Sequence, residues 1–504
     1  MTAAAARAIF AVPPFPGAAP FPVVQPAGTG TAAPAVSPAT LIAALRHHGL
    51  GEPFWLPATD DAAPDALPAD DPRALGRAIG GRPVTTAGDG RYGALSGFMP
   101  GEPEWEAVLE RLVAQELLAG LAYCSPFTGA PIDLLQLVAI LGDWRALVEG
   151  NRPIAVAFGF ARWKQDTVEP LLWGGGPVPF HAAREDLLNG LSAGATIAVW
   201  KARIPAAFLA RLEAGPWRVL EAEDGFIRSA GLGADCVPPL SIVLDDLGAH
   251  YDPAGPNRLE AMLARGDFAP GDIARAQTLR DWIVREGVSK YGVGAARPLP
   301  RPAGARRHLL VVGQVEDDRS VQFGGGPIKS NLELLRQVRA LEPDAFLIYR
   351  PHPDVEAGHR RGAIPPRVAH TLCDAIESRS PIGALIDMVD AVHVITSLAG
   401  FEALMRGKPV TTHGTPFFAG WGLTRDLAPI PARRGVARTL DELVAATLLR
   451  YPRYLDPVTN LPCPAEVVVM RLLAGNRRRN GALVPLRKFF GWMKHAIQRL
   501  VDMR

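Results

Sequence analysis

A chain of 504 residues, 48% hydrophobic and 21% charged, holds enough apolar material for more than one core. Its formal net charge of +2 excludes a polycation built for nucleic acid and an acidic tail protein, so its partners must be read from sites. Cys124, Cys236, Cys373 and Cys463 lie far apart without CxxC spacing, which argues against a disulfide framework or a zinc cluster and fits a reducing compartment.

Residues 1–40 read as a disordered Ala/Pro-rich leader, with prolines at 13, 14, 16, 20, 22 and 26 interrupting any helix a signal peptide would need. Residues 41–123 read as a helical and irregular extension, with a linker at 56–72. Within it, Trp105, Val108, Leu109, Leu112, Val113, Leu117 and Leu118 fall on one face of a helix at 104–121, a pattern of packing. No apolar run in the chain reaches the roughly 18 residues of a bilayer span.

After Asn151 strand, loop and helix alternate. Short β-branched and aromatic runs at 154–160, 196–200 and 217–220 predict strands of a parallel sheet covered by helices. A second series has strands at 308–312, 346–349, 391–395 and 409–412. Between them lie a helix with Leu332, Leu335, Val338 and Leu341 on one stripe, begun by a Ser330/Glu333 capping box, and a helix around 401–405 closed by Gly407. Two such series predict two Rossmann-like domains facing a cleft, with ligands beyond the carboxyl ends of the strands.

Four loops carry the candidate chemistry. GluAspGlyPheIleArgSerAlaGlyLeuGly (223–233) follows a strand; there Asp224, beside Glu223, suits a nucleophile or base held ionised by Arg228, and a turn whose aspartate caps a helix is the plainer alternative. In ArgProHisProAspVal (350–355) two prolines stiffen the backbone around His352, which suits a bond to phosphate or carboxylate, general acid chemistry, or a structural turn. ThrSerLeuAlaGlyPheGluAlaLeu (396–404) sets Thr396, Ser397, Leu398, Ala399 and Gly400 at a helix N-terminus, an anion site by its free amides and dipole. Glu402, one turn on, suits ribose hydroxyls, whereas N-capping by Ser397 alone would leave that carboxylate unexplained. GlyGlnValGluAspAspArgSer (313–320) and GlyGlyGlyProIleLys (324–329) place Gly313, Gln314, Asp317 and Lys329 in a cleft wall, a lid or an ordinary surface loop. No GlyLysSer or GlyLysThr ends that loop, so it is not a P-loop.

Together with ValProProLeuSerIleValLeuAspAspLeuGly (237–248) and ProPhePheAlaGlyTrpGlyLeuThrArgAsp (416–426), these blocks resemble the KpsC-type capsule β-Kdo transferases. The resemblance covers roughly residues 124–445, from CysSerProPheThrGly (124–129) onward and including AlaArgTrpLys (161–164). It implies an α/β, GT-B-like fold, with an N-terminal acceptor-side domain at 124–305 and a C-terminal CMP-sugar-binding domain at 306–470. It further implies transfer of β-linked Kdo from CMP-Kdo, without metal or other cofactor, in capsular polysaccharide biosynthesis and export. The acceptor would be a lipid-linked one such as a phosphatidylglycerol-type glycolipid, and capsule assembly or export proteins, not nucleic acid, would be the partners. On that pattern Asp224 is the carboxylate at the anomeric centre and, for retention, a covalent nucleophile, with His352 or Asp317 assisting protonation. His352 and Ser397 would hold the CMP phosphate, Glu402 the cytidine ribose, and Arg228, Lys329 and Arg350 the sugar carboxylate and phosphate. The alternatives are a donor carrying another CMP-activated keto sugar, and a noncatalytic GT-B-fold component of the capsule assembly machinery. Typical members carry two such modules in tandem whereas each block occurs once here, so a single linkage is expected.

Residues 471–504 form a basic tail. After ArgArgArg (477–479), apolar Leu486, Phe489, Phe490, Met493, Ile497, Leu500 and Val501 recur at helical spacing beside Arg and Lys, as in a helix lying on an anionic bilayer or in a terminal helix docked on the core. The expected location is the cytoplasm, with peripheral attachment to the inner membrane through this tail.

Overall fold

The computed structural model describes residues 3–28, 35–56, 66–229, 237–290, 292–293, 299–302, 304, 306–358 and 360–475. The amphipathic tail from 476 on, Cys236 and the middle of the expected linker lie outside these residues. The described residues form two compact units: those of 1–156 with 168–179 and 455–463, and those of 157–167 with 180–454 and 464–475.

In the first unit, helices Pro38–His47 and Pro72–Ile79 each carry proline just inside a capping residue, with the Ser37 and Asp71 side chains accepting from Thr40 N and Arg73 N. Helix Pro103–Val113 buries Trp105, Leu109, Leu112 and Val113, and a π-helical turn at Ala114–Leu118 adds Leu117, so the stripe read from the sequence is a packing face. The leader differs from expectation. Ala4–Ile9 is a helix that buries Ala5, Ala6 and Ile9, and Val24–Pro26 pairs antiparallel with Leu121–Tyr123. Between them Phe15 meets Trp144 and Trp173 edge-on at 5.7 and 5.0 Å. The prolines do stop the helix, but burying rings such as Phe10 and Phe15, at about 1.5–3 kcal/mol each, offsets the entropy of ordering the segment.

The second unit holds both strand series except for residues 154–156, 168–172 and 455, which fall in the first. The first runs β1 Ile154–Phe158, α1 Arg162–Leu172, β2 Phe180–His181, β3 Thr196–Val199, α2 Ala206–Ala214, β4 Arg218–Asp224, β5 Ser241–Asp245 and α3 Arg258–Arg265. The other runs β6 His308–Val312, α4 Arg319–Gly324, α5 Asn331–Leu341, β7 Phe346–Arg350, α6 Pro353–Glu356, β8 Ala375–Ile376, β9 Ala391–Val394, α7 Leu398–Met405, β10 Val410–Thr412 and β11 Arg425–Asp426. After it comes β12 Pro452–Leu455.

The later sheet is parallel throughout, in the order β8-β7-β6-β9-β10-β11. Counted from its own first strand this is 3-2-1-4-5-6, the order that creates a crevice where β6 and β9 lead away in opposite directions. Its core joins Leu309 and Val311 of β6 and Leu347 and Tyr349 of β7 to Leu334, Leu335 and Val338 of α5. The Ser330/Glu333 capping box forms as expected, although Leu341, placed on the inward stripe by the sequence, is 39% exposed and Leu334, off that stripe, is buried. The earlier sheet includes the run β12-β5-β4-β3-β1-β2 and is mixed where a parallel sheet was expected. β1 with β2 and β3 with β4 are parallel, but β5 returns antiparallel along β4 with no crossover helix, and β12 pairs antiparallel with β5. Among the described residues no helix is long and apolar enough to cross a membrane.

Candidate active site

Both sheets contribute to one cavity of about 850 Å³ in the second unit, at the ends of β4, β6 and β7 and at the start of α7. That position is the one that ligands take in doubly wound sheets.

On the first sheet's side stands a carboxylate between two cations. Asp224, the last residue of β4, accepts from Lys164 Nζ at 3.0 Å on one oxygen and from Arg228 Nε at 2.7 Å on the other. Lys164 comes from α1, with its ammonium 3.4 Å from the centre of the Trp200 ring. Arg228 is 1% exposed, gives Nη1 to Ser229 Oγ at 2.7 Å and, among the described residues, has no hydrogen-bond partner for its buried Nη2. Burial opposes a charge on Asp224, but Arg228 and Lys164 outweigh it and hold the carboxyl below the usual range. Neighbouring Glu223 is pushed up to about 7, first by burial and then by the Asp224 charge. The two carboxyls are thus driven apart, one kept as an anion and one poised to exchange a proton near neutrality. Among the described residues Asp224 caps no helix, its two oxygens being taken by Lys164 and Arg228.

On the second sheet's side two loops meet at the switch point. Gln314, after β6, accepts from Thr396 N at 2.8 Å and donates to Thr396 Oγ1 at 3.0 Å, while Asn331 fixes Gln314's own backbone. This bracket sets the entry to α7, where Ser397 Oγ accepts from Ala399 N at 3.3 Å. His352 Nδ1 accepts from Asp354 N at 3.1 Å, which places the proton of the neutral ring on Nε2. Burial, reinforced by the Lys290 charge, lowers its pKa to about 4, so His352 is a neutral donor at physiological pH. Glu402 accepts from Lys290 N at 3.3 Å and is raised to about 7, chiefly by burial.

Of the residues singled out from the sequence, Asp224, Glu223, Arg228, Gly313, Gln314, Asp317, Arg350, His352, Thr396, Ser397, Leu398, Ala399 and Glu402 all line this cavity. Asp317 is engaged by Arg360 Nε at 3.3 Å, and Arg350 gives Nη1 to the Glu377 carbonyl at 3.2 Å. Two do not line it. Lys329 Nζ is turned to the carbonyls of Val321 and Gln322 at the end of α4. Gly400 packs inside α7, where an added Cβ would lie 2.6 Å from Phe418 Cζ and 3.1 Å from Val394 Cγ2. Gly400→Ala is expected to cost about 1–3 kcal/mol by overpacking; an unchanged thermal midpoint would contradict this contact.

Sequence reasoning gave no role to Lys164, Tyr251 or Arg319, which also line the cavity. For Lys164 the signal available was its place in AlaArgTrpLys, directly after a strand. Among the described residues no three His, Cys, Asp or Glu side chains gather as metal ligands would.

Residues 200–292 and 292–454, about half the chain, match the model of the capsule polysaccharide biosynthesis protein family. Over 409 residues the chain is 36% identical to the capsule polysaccharide modification protein LipA of Neisseria meningitidis serogroup B, covering 78% of this chain and 57% of that protein. Over 254 residues it is 45% identical to the lipopolysaccharide-processing protein LpsZ of Rhizobium meliloti, covering 50% of this chain and 56% of that one. It therefore spans little more than half the length of these relatives. Among solved structures it is similar to the beta Kdo 2,7 transferase of Thermosulfurimonas dismutans KpsC, at 34% identity and a TM-score of 0.53 over 64% of this chain and 100% of that one. For the beta Kdo 2,4 transferase of the same protein the figures are 30% and 0.54, over 63% and 98%. The resemblance carried by the six sequence blocks is borne out, and the chain belongs to the capsule polysaccharide biosynthesis protein family.

Proposed function

We propose that this chain is a GT-B-type glycosyltransferase that moves Kdo from CMP-Kdo, with retention and without a metal, to a lipid-linked acceptor in capsular polysaccharide biosynthesis. The acceptor would be a phosphatidylglycerol-type glycolipid at the cytoplasmic face of the membrane, and this chain would form a single linkage. The observation that carries the reading is the Asp224 carboxylate, held as an anion by Lys164 and Arg228 in the same cavity as His352 and the N-terminus of α7. The two Kdo transferase relatives support the choice of sugar.

Chemically, an Asp224 oxygen forms a bond to the anomeric carbon while that carbon's bond to phosphate oxygen breaks, and CMP leaves with the electron pair. His352 Nε2–H and the free amides of α7 donate to the departing phosphate. Pairing with two cations blunts Asp224 as a nucleophile, but it fixes its direction, and CMP is a good leaving group. The buried Arg228 Nη2 then finds its missing acceptor in the sugar carboxylate. In the second displacement the acceptor hydroxyl attacks the same carbon, Asp224 regains its electron pair, and Glu223 takes the proton. Two inversions retain configuration.

Glu223 accepts that proton only when ionised, so transfer should fall as pH drops through about 7, the value to which its carboxyl is raised. Glu223→Gln should lower kcat and abolish this limb, whereas Glu402→Gln should act on the KM for CMP-Kdo. A pH profile of kcat/KM in which Glu223→Gln keeps the wild-type limb would remove Glu223 as the base.

A further inference from the structure

Arg319 opens α4 on the cavity wall and ends a hydrogen-bonded chain for which donor chemistry has no use. Its Nε donates to Tyr251 Oη at 2.8 Å, Tyr251 donates its proton to Glu221 Oε1 at 2.8 Å, and Glu221 Oε2 pairs with Lys201 Nζ at 2.9 Å. Glu221 is 5% exposed, so the chain is rooted in the first sheet. The guanidinium also lies over the rings of Tyr251 and Phe323, at 5.6 and 5.1 Å. One of its five N–H groups is thus spent on holding the side chain still, and among the described residues its two terminal nitrogens make no hydrogen bond. Phe323 beneath it is 47% exposed, which puts a pre-oriented cation on an apolar step at the solvent edge.

A planar fork with its remaining donors unspent matches a carboxylate or a phosphate. The donor's two anions are already provided for, the phosphate by His352 and the α7 amides and the sugar carboxylate by Arg228. Arg319 is instead anchored to residues of the half that carries the nucleophile. We propose that Arg319 is an acceptor-specificity residue: its fork reads an oxyanion of the incoming acceptor, and Phe323 underlies the adjoining apolar part. The inference rests on the transferase reading.

Its test uses the full chain, CMP-Kdo as donor, and three acceptors. These are the octyl glycoside of Kdo, which has a carboxylate and no phosphate, the same glycoside with the carboxyl reduced to an alcohol, and lysophosphatidylglycerol. Arg319→Gln should raise the acceptor KM about 10- to 100-fold, the worth of a charge-assisted hydrogen bond, while the donor KM moves less than about twofold. Arg319→Lys should recover part of this, and Tyr251→Phe, which loses only the anchor, should raise the acceptor KM by less. On the reduced glycoside wild type and Arg319→Gln should be alike. A loss seen with lysophosphatidylglycerol and not with octyl Kdo would assign the oxyanion to phosphate. Unchanged acceptor KM in Arg319→Gln on both oxyanion-bearing acceptors, or a donor KM that rises in step, would overturn the assignment. Calorimetric binding of octyl Kdo separates the two readings: an inactive wild type that still binds it through Arg319 would sink the transferase reading alone.

Discussion

Asp224→Asn is expected to reduce transfer on the order of 10⁴-fold while CMP affinity changes less than about threefold. Asparagine keeps the shape and one acceptor oxygen but cannot form or release the sugar ester, so the loss falls on kcat. It also withdraws the charge that steadies Lys164, whose proton affinity burial already lowers against the pull of Asp224. Alanine would be a poorer probe, because it leaves the Nε of Arg228, 1% exposed, without even an acceptor oxygen and mixes lost chemistry with lost stability. Transfer by Asp224→Asn above a tenth of wild type, with intact CMP binding, would rule out the nucleophile.

The second large effect is on stability and concerns Arg434. Fully buried, it gives Nε to Glu260 Oε1 at 2.5 Å and Nη1 to the carbonyls of Pro416 and Ala419 at 2.5 and 3.2 Å. Glu260, on α3 and 4% exposed, also accepts from Arg433 Nε at 2.6 Å. Arg434 thereby ties the loop of Pro416 and Phe417, which lines the cavity, to the first sheet's half of the unit. Arg434→Met should destabilise by about 2–4 kcal/mol, because it removes one of the two arginines on the buried Glu260 and leaves the Ala419 carbonyl unpaired. Glu260→Gln, which keeps a hydrogen-bonding partner, should cost less. Denaturant unfolding that places Arg434→Met within about 1 kcal/mol of wild type would contradict this account of the clamp.

Much of this arrangement was legible because the local rules hold where the chemistry lies. The strands β6, β7, β9 and β10 of the later sheet are short runs rich in β-branched and aromatic residues, and each leads at its carboxyl end into a loop rich in Gly, Pro, Ser or Asp, whereas β8 and β11, two residues each, carry no such mark. Those loops, with the one after β4, carry Asp224, His352 and Ser397, so strand ends alone marked all three positions. The features that escaped depend on partners distant in sequence. β5 lies within a motif block but has no periodic mark of its own, since an antiparallel return beside β4 leaves none, and β12 pairs with it from the far end of the chain. Lys164 reaches Asp224 across 60 residues, and nothing in AlaArgTrpLys alone foretells a carboxylate there. Lys329 was drawn toward the donor by its charge, yet the nearby carbonyls at the end of α4 offer it a closer partner. In the leader, proline content masked the few aromatic side chains whose burial orders it.

The most direct measurement is incubation of the purified chain with CMP-Kdo, generated in situ, and a synthetic Kdo-primed lipid acceptor, with mass spectrometry of the product. The account predicts the gain of one Kdo on the lipid. CMP binding with no product from CMP-Kdo, or product formed only when CMP-sialic acid replaces it, would contradict it.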